Sequence, residues 1–307
     1  MESFREGCAT MLNLGKTSKS DLIFYTFSGI FLTVFFILVL YPVLFVVASS
    51  FSSGIAVTGG KVFLWPVGFN IDGYKIIFNN RELIRGFTNS ILYMVLGTTI
   101  NVVLTMLAAY GLSRDDVPGT NGLMLVFAFT MFFNGGLIPT FMLVRSLGLV
   151  DSLFALVLPG AVNVFNLVVA RTFIKSTIPQ ELLEAARIDG CSDFRFFTAI
   201  VLPLSKAIMA VLALFYGIAH WNSYFWPLIY LYSREKFTLP LFLKEILISN
   251  QIDPSTVSDP ELMLQLAQTA DVIKYALIVV SIIPVLLIYP LAQKYFVKGV
   301  MVGSIKG

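Results

Sequence analysis

Six stretches of this chain contain no Asp, Glu, Lys or Arg, and each has room for about 20 apolar residues, the length a helix needs to cross ~30 Å of hydrocarbon. They lie between Asp21 and Lys61, Arg85 and Arg114, Asp116 and Arg145, Asp151 and Arg171, Lys206 and Arg234, and Lys274 and Lys294. A charged side chain at the centre of a bilayer costs roughly 2.5–3.5 kcal/mol even on the mildest scale, so charge-free intervals are where a chain can pass through lipid. Backbone in lipid must pair its own N–H and C=O groups, which within one segment leaves only the helix. The expectation is an all-α integral membrane protein with six transmembrane helices. At 57% apolar and 13% charged residues, the chain falls well short of the roughly one-quarter charged residues of a soluble domain.

The spans are expected near residues 22–48, 87–112, 116–145, 152–173, 207–230 and 272–296, with a segment 1–21 before them and a tail 297–307 after them. Pro42 lies near the far end of the first span. The stretch holding Asp72, Lys75, Arg81, Glu82 and Arg85 reads as an interfacial loop. In the third span Asn134-Gly135-Gly136 precedes Pro139, a combination that breaks helical hydrogen bonding and survives at membrane depth only inside protein or beside water. The fourth carries Asn163 and Asn166, three apart on one face. Residues 231–271 form a long loop with an amphipathic piece around 241–248, and Asp259-Pro260-Glu261 reads as a cap with proline at the first helical position.

Several functions find no support. A net charge of +3, spread along the chain, offers no nucleic-acid surface. Cys8, Cys191 and the single histidine, His220, make neither a disulfide framework nor a multi-histidine metal site. Gly15-Lys16-Thr17 imitates the end of a phosphate loop, but the earlier glycine such a loop requires falls at Thr10. The charge-free intervals hold no carboxylate, so neither a proton relay nor an embedded acid–base enzyme is supported; sodium bound by backbone carbonyls stays open.

Between the fourth and fifth spans lies a polar island, residues 175–206. Ser176 or Thr177 can cap a helix opening with Pro179, and Glu181 and Glu184 fall in its first two turns, where the helix dipole favours carboxylates. Gly190 ends that helix in a turn expected to need positive φ. Ser192 can cap a second short helix, residues 193–201, which Pro203 terminates. Within it Glu184-Ala185-Ala186, Gly190, Ile200 and Leu202-Pro203 stand at fixed spacing. This pattern resembles the EAA motif of membrane subunits of binding-protein-dependent ABC importers, a cytoplasmic paired-helix loop that docks into a cleft of the ATPase subunit.

The resemblance implies that Glu184, Ala185, Ala186, Asp189, Gly190, Ile200, Leu202 and Pro203 couple the chain to the ATPase. The runs Asn134-Gly135-Gly136-Leu137-Ile138-Pro139-Thr140, Arg145-Ser146-Leu147-Gly148-Leu149 and Phe296-Val297-Lys298-Gly299, with the ending Gly303-Ser304-Ile305-Lys306-Gly307, look like the carbohydrate-uptake, MalG-like permeases and their complex-oligosaccharide subgroup. That family implies a second, related permease, two ATPase subunits holding ATP and Mg, an extracellular sugar-binding protein and a bacterial cell membrane. No cofactor is then expected on this chain itself. With both termini in the cytoplasm, twelve of the 21 Lys and Arg residues face inward, which leans the right way under the positive-inside rule; the motif, which must face ATP, decides the orientation.

For a solute path, aromatic faces beside amides suit sugars, whose C–H faces stack while their hydroxyls hydrogen-bond. The candidates are Asn134, Asn163, Asn166, Tyr216, Trp221, Asn222 and Tyr224. The asparagines equally suit bonds between helices, and Trp226 and Tyr230 equally suit an interfacial aromatic belt. His220 reads as a hydrogen-bonded packing residue. A non-sugar solute and an ion-coupled secondary transporter are the competing functions.

Overall fold

The computed structural model describes residues 18–249, 268–288 and 290. Within them every regular element is helical. The principal helices are α1 (Lys19–Ser50), α2 (Asp72–Asn79), α3 (Arg81–Ser113), α4 (Thr120–Phe132), α5 (Leu137–Ser146), α6 (Leu153–Gly160), α7 (Val164–Thr177), α8 (Gln180–Ile188), α9 (Asp193–Leu204), α10 (Lys206–Trp221), α11 (Phe225–Tyr230), α12 (Leu239–Ser249) and α13 (Gln268–Ile288). Helices α1, α3 and α13 are by themselves long and apolar enough to cross a membrane. Three bent pairs, α4–α5, α6–α7 and α9–α10, supply comparable apolar length with bends of 115°, 57° and 80°. The expected Asp259-Pro260-Glu261 cap, the end of the last span and the C-terminal tail lie outside the described residues.

Helix α3 is the hub. At 33 residues it is about 50 Å long, given 1.5 Å per residue, and so outruns the hydrocarbon. The interfacial loop expected before it is instead helical. Asn80 accepts hydrogen bonds at its Oδ1 from the N–H groups of Glu82 and Leu83, satisfying donors that a helix start leaves open. The polar residues 72–85 thus build α2 and the first turns of α3.

One continuous cluster joins the middle of the bundle to the polar island: Met106, Ala109 and Leu112 of α3, Leu167, Ala170 and Ile174 of α7, Leu183 of α8, Phe196, Phe197 and Val201 of α9, and Ile208, Leu212 and Tyr216 of α10. A second cluster at the opposite end unites Ile77 and Leu83 with Trp221, Leu239, Phe242, Ala276 and Leu277. That end is also tied by Asp151, a non-glycine residue at φ 58°. Its carboxylate accepts from the Tyr232 and Ser233 N–H groups, the Ser233 hydroxyl at 2.7 Å and Lys236 Nζ at 2.8 Å.

Helix α1 stands apart. Only Ala48, Ser49 and Ser50 at its end are buried, while its remaining length presents an apolar surface on every side. Pro42 sits inside it without ending it.

One break falls where it was expected, and the fourth span, the fifth span and Pro203 differ from expectation. The third span does break at 133–136, where Asn134 Oδ1 accepts from Gly136 N–H at 3.0 Å. The fourth breaks as well: Asn163 is the N-cap of α7, and its Oδ1 accepts from Asn166 N–H at 3.2 Å. Asn163 and Asn166 therefore do not share the face of one unbroken helix. The fifth is interrupted at Asn222–Tyr224, between α10 and α11. Pro203, expected to end the second island helix, lies within α9, which takes a π turn over Phe197–Val201 and turns sharply into α10 at Ser205.

Candidate functional site

The polar island folds as two helices joined by a glycine turn. Ser176 and Thr177, the expected caps, belong to the last turn of α7, and Pro179 alone precedes α8. The reason is spatial: Ile174 packs into the core and holds that turn helical to Thr177. Helix α8 closes with Cys191 N–H donating to Ala186 O and Gly190 N–H to Arg187 O, the paired bonds of a Schellman ending. Gly190 has φ 75°, as expected. Nothing lies within 4 Å of a Cβ placed on it, so a side chain there costs backbone strain rather than a clash.

The island is bolted to the bundle from two sides. Leu183, Phe196, Phe197 and Val201 are buried in the shared core. Arg114, in the turn after α3, donates Nε and Nη2 to the two oxygens of Asp116 at 2.8 and 2.6 Å, and Nη1 to Asp193 Oδ1 at 2.6 Å. Arg187 of α8 donates to Asp116 Oδ2 at 2.8 Å. Arg114 also meets the Tyr110 hydroxyl at 3.1 Å, and its side chain is only 8% exposed. The Asp116 carboxyl is held well below the usual carboxylate range, first by Arg114 and then by Arg187. Lys175 reaches Asp115 at 2.6 Å, and Arg171 donates to Leu112 O at 2.8 Å. Helices α8 and α9 are therefore joined to α3, α7 and α10 by one shared core and one network of charges.

Of the expected coupling residues, Glu184, Ala185, Asp189, Gly190 and Pro203 are on the surface. Ala186, Ile200 and Leu202 instead pack partly buried against the core. The turn also presents Ile188 at 87% and Phe194 at 73% exposure, an apolar pair flanking Gly190.

A cavity of about 870 Å³ opens between α3, the breaks of α4–α5 and α6–α7, and α10–α11. It brings together Asn134, Asn163, Asn166 and Tyr216. The Tyr216 hydroxyl accepts the Asn163 backbone N–H at 3.0 Å and lies 2.7 Å from Thr105 Oγ1. Asn101 and His220, which were not among the expected path residues, line it as well. Trp226 and Tyr230 stack at its far side, with ring centroids 5.7 Å apart, and Tyr230 is 1% exposed, so Tyr230 is a cavity wall rather than a belt residue.

Trp221, Asn222 and Tyr224 fall elsewhere, around a separate pocket of about 530 Å³ that α12 and α13 share. Trp221 is 2% exposed, donates Nε1–H to Ser281 O at 2.9 Å and packs edge-on against Phe87. Helical geometry explains the split. Tyr216 and His220 are four apart and share a face, whereas Trp221 points away from it. Among the described residues no group of His, Cys, Asp and Glu could hold a metal ion.

No protein-family model matches the chain. The polygalacturonan/rhamnogalacturonan transport system permease protein YtcP of Bacillus subtilis is 40% identical over 292 residues, spanning 95% of this chain and 100% of the relative. The protein LplC of the same organism is 38% identical over 266 residues, 87% of this chain and 89% of its own. The chain belongs to the ABC-transporter permease family. A crystal structure of a bacterial ABC transporter involved in the import of the acidic polysaccharide alginate superposes with a TM-score of 0.83 at 34% identity, covering 92% of the permease and 99% of that chain.

As a permease subunit, the protein is a transport component and not an enzyme. Of the features of the permease that escaped sequence reasoning, two left a clear signal. Ile188 is four residues after Glu184, on the same outward stripe of α8. Asn101 precedes Thr105 by four along α3, one of several polar residues in an otherwise apolar helix.

Proposed function

We propose that this permease is one of two transmembrane subunits of a binding-protein-dependent importer that moves an oligosaccharide into the bacterial cytoplasm. It crosses the cell membrane six times, α1, α3 and α13 as single helices and α4–α5, α6–α7 and α10–α11 as interrupted ones. Both termini face the cytoplasm. Two ATPase subunits hold ATP and Mg and receive the α8–α9 knob in a cleft; an extracellular binding protein delivers the sugar. This chain itself holds no cofactor.

The observation that carries this reading is the knob: an exposed apolar tip at Ile188 and Phe194, fastened to three bundle helices by one buried core and the Arg114 network. Exposed apolar pairs of this kind rimmed by charge mark protein contacts. The exposed length of α1 supports a second permease packed beside it. The cavity's amides and aromatic faces support a sugar, in keeping with the polysaccharides named for YtcP and for the alginate transporter.

Purification from the native membrane, followed by reconstitution with the recovered partners, tests the reading. ATP-driven uptake of an oligosaccharide retained by the co-purified binding protein is the expected result. Uptake of a non-sugar solute alone would replace the sugar, and recovery without ATPase subunits would overturn the importer.

A further inference from the structure

Between α1 and α2 the chain forms a loop, residues 51–71, that closes on itself. It passes through one short helix, Gly54–Thr58. Ser53 N–H donates to Val67 O, Asn70 N–H to Phe51 O, and Val67 N–H to Ser52 Oγ at 3.0 Å. Gly68, at φ 64°, lies against Ser53, where a Cβ would come within 2.8 Å of Ser53 Oγ. Ser50 Oγ and the Tyr74 hydroxyl, 2.8 Å apart, tie the two ends of the loop together.

The underside of the loop packs on α1. Ala56 and Val62 are buried in one cluster with Ala48, against which Phe45 and Val57 pack, so the chain folds back beside the last turns of α1. Counted from Leu22 at 1.5 Å per residue, Phe45 lies about 35 Å along that helix, just past a hydrocarbon core ~30 Å thick and within the headgroup layer outside it. Phe63, Leu64 and Trp65 follow Val62 directly and stand near that level.

The outer side is apolar and bare. Trp65 is 80% exposed, Phe69 75% and Phe63 65%, with Ile55 and Leu64 exposed as well. From Phe51 to Ile71 Lys61 alone is charged. The exposed Val43, Leu44 and Val47 of α1 carry the same apolar surface up to the level of the loop. Soluble surfaces rarely keep a patch of this kind. A soluble partner that docks and leaves would return it to water in every cycle, and transient interfaces are no more apolar than the rest of a protein surface. The edge of a bilayer is a permanent cover, where aromatic side chains settle among the headgroups and a lysine meets lipid phosphates.

We propose that the loop 51–71 is an interfacial anchor. Phe63, Leu64, Trp65 and Phe69 are immersed in the headgroup layer at the Ser50 end of α1, with Lys61 among the phosphates. The proposal rests on α1 crossing the membrane. A Cβ added at Gly54 or Gly73 would lie 2.8 Å from Gln268 or Val272 of α13; through this close packing the anchor sets the depth of α13 together with that of α1.

The test attaches a nitroxide spin label to one cysteine at a time, Trp65→Cys, Phe69→Cys or, as a reference within α1, Phe35→Cys. The variants are measured in the complete importer, otherwise free of cysteine, in liposomes of phosphatidylethanolamine and phosphatidylglycerol. All three side chains are exposed, so the substitutions leave the packed core intact. Paramagnetic resonance reads collisions with oxygen, which concentrates in lipid, and with a nickel chelate, which stays in water; spin-labelled lipids supply the depth scale. At positions 65 and 69 the oxygen-to-nickel ratio is expected to be several-fold above its value in water, to match the headgroup layer, and to stay unchanged when loaded binding protein is added. Three results would overturn the anchor: the ratio of bulk water, nickel access that disappears only on adding binding protein, which marks a docking face, or few collisions with either reagent, which marks a face covered by the second permease. A label at position 35 with the ratio of water would overturn the crossing of α1 itself.

Discussion

Arg114 illustrates how much one side chain can hold. It bonds two carboxylates on different segments and a phenol, with its guanidinium nearly out of water. Replacing it with methionine leaves Asp116 and Asp193 facing each other with Arg187 alone. The expected cost is about 2 kcal/mol, typical of hydrogen bonds to charged groups, or on the order of 30-fold in the population of a detached knob. Hydrogen exchange of the α8 and α9 amides reads this directly, and unchanged protection would assign the network to the surface. Asp151 makes a second residue-scale case. Burial pushes its carboxyl up, but Lys236, the Ser233 hydroxyl and two backbone N–H groups more than reverse this and hold it well below the usual range. Its folded pKa is depressed, so its contribution is present above the unfolded value near 3.8 and lost as pH falls through the folded one. Asp151→Asn keeps a residue type that tolerates positive φ but removes the charge. Thermal melts of this variant should lose the acid-side decline contributed by Asp151, and an unaltered pH profile would show that the strap carries no stability.

At the scale of elements, the knob and α1 are the parts that look outward. Ile188→Ser and Phe194→Ser remove exposed apolar groups without touching the core, so the permease should keep its melting behaviour while recovery of ATPase subunits on co-purification falls about tenfold or more. Full recovery from the double variant would move the docking surface elsewhere. Gly190→Val adds roughly 1–2 kcal/mol of left-handed strain and is expected to lower ATPase recovery in the same assay. Crosslinks from cysteines placed at Phe31 or Phe35, both well exposed on α1, should reach lipid or a second subunit and not α3. Much of this layer was legible in the sequence, because charge-free length, Gly190 and the Asn134-Gly135-Gly136 break each have a local physical cause. The breaks after Gly160 and after Trp221 were less so. Their signals, Pro159-Gly160 before Asn163 and Asn222-Ser223 before Pro227, are individually tolerated in membrane helices, and tertiary bonds such as Tyr216 to Asn163 decide the outcome. The division of the aromatic residues between two pockets was equally hidden, since it depends on which neighbour each face of α10 meets.

For the whole molecule, the arrangement places a polar cavity and an exposed two-helix knob at two ends of one packed core. The described residues of the cavity wall include no carboxylate, the group a proton-coupled route ordinarily uses; the proposed entry point for energy is α8–α9. The six-span expectation is compatible with three uninterrupted helices, the bent pairs α4–α5 and α6–α7, and α10 continued by α11; interruptions concentrate around the cavity, where backbone off its helical bonds can meet other protein or water. The most direct measurement of this account is solute accumulation in proteoliposomes containing the permeases and binding protein, with and without the ATPase subunits. Accumulation only when ATPase subunits and ATP are both present is the predicted result. Accumulation by the permeases without ATPase subunits, driven by an ion gradient, would contradict it.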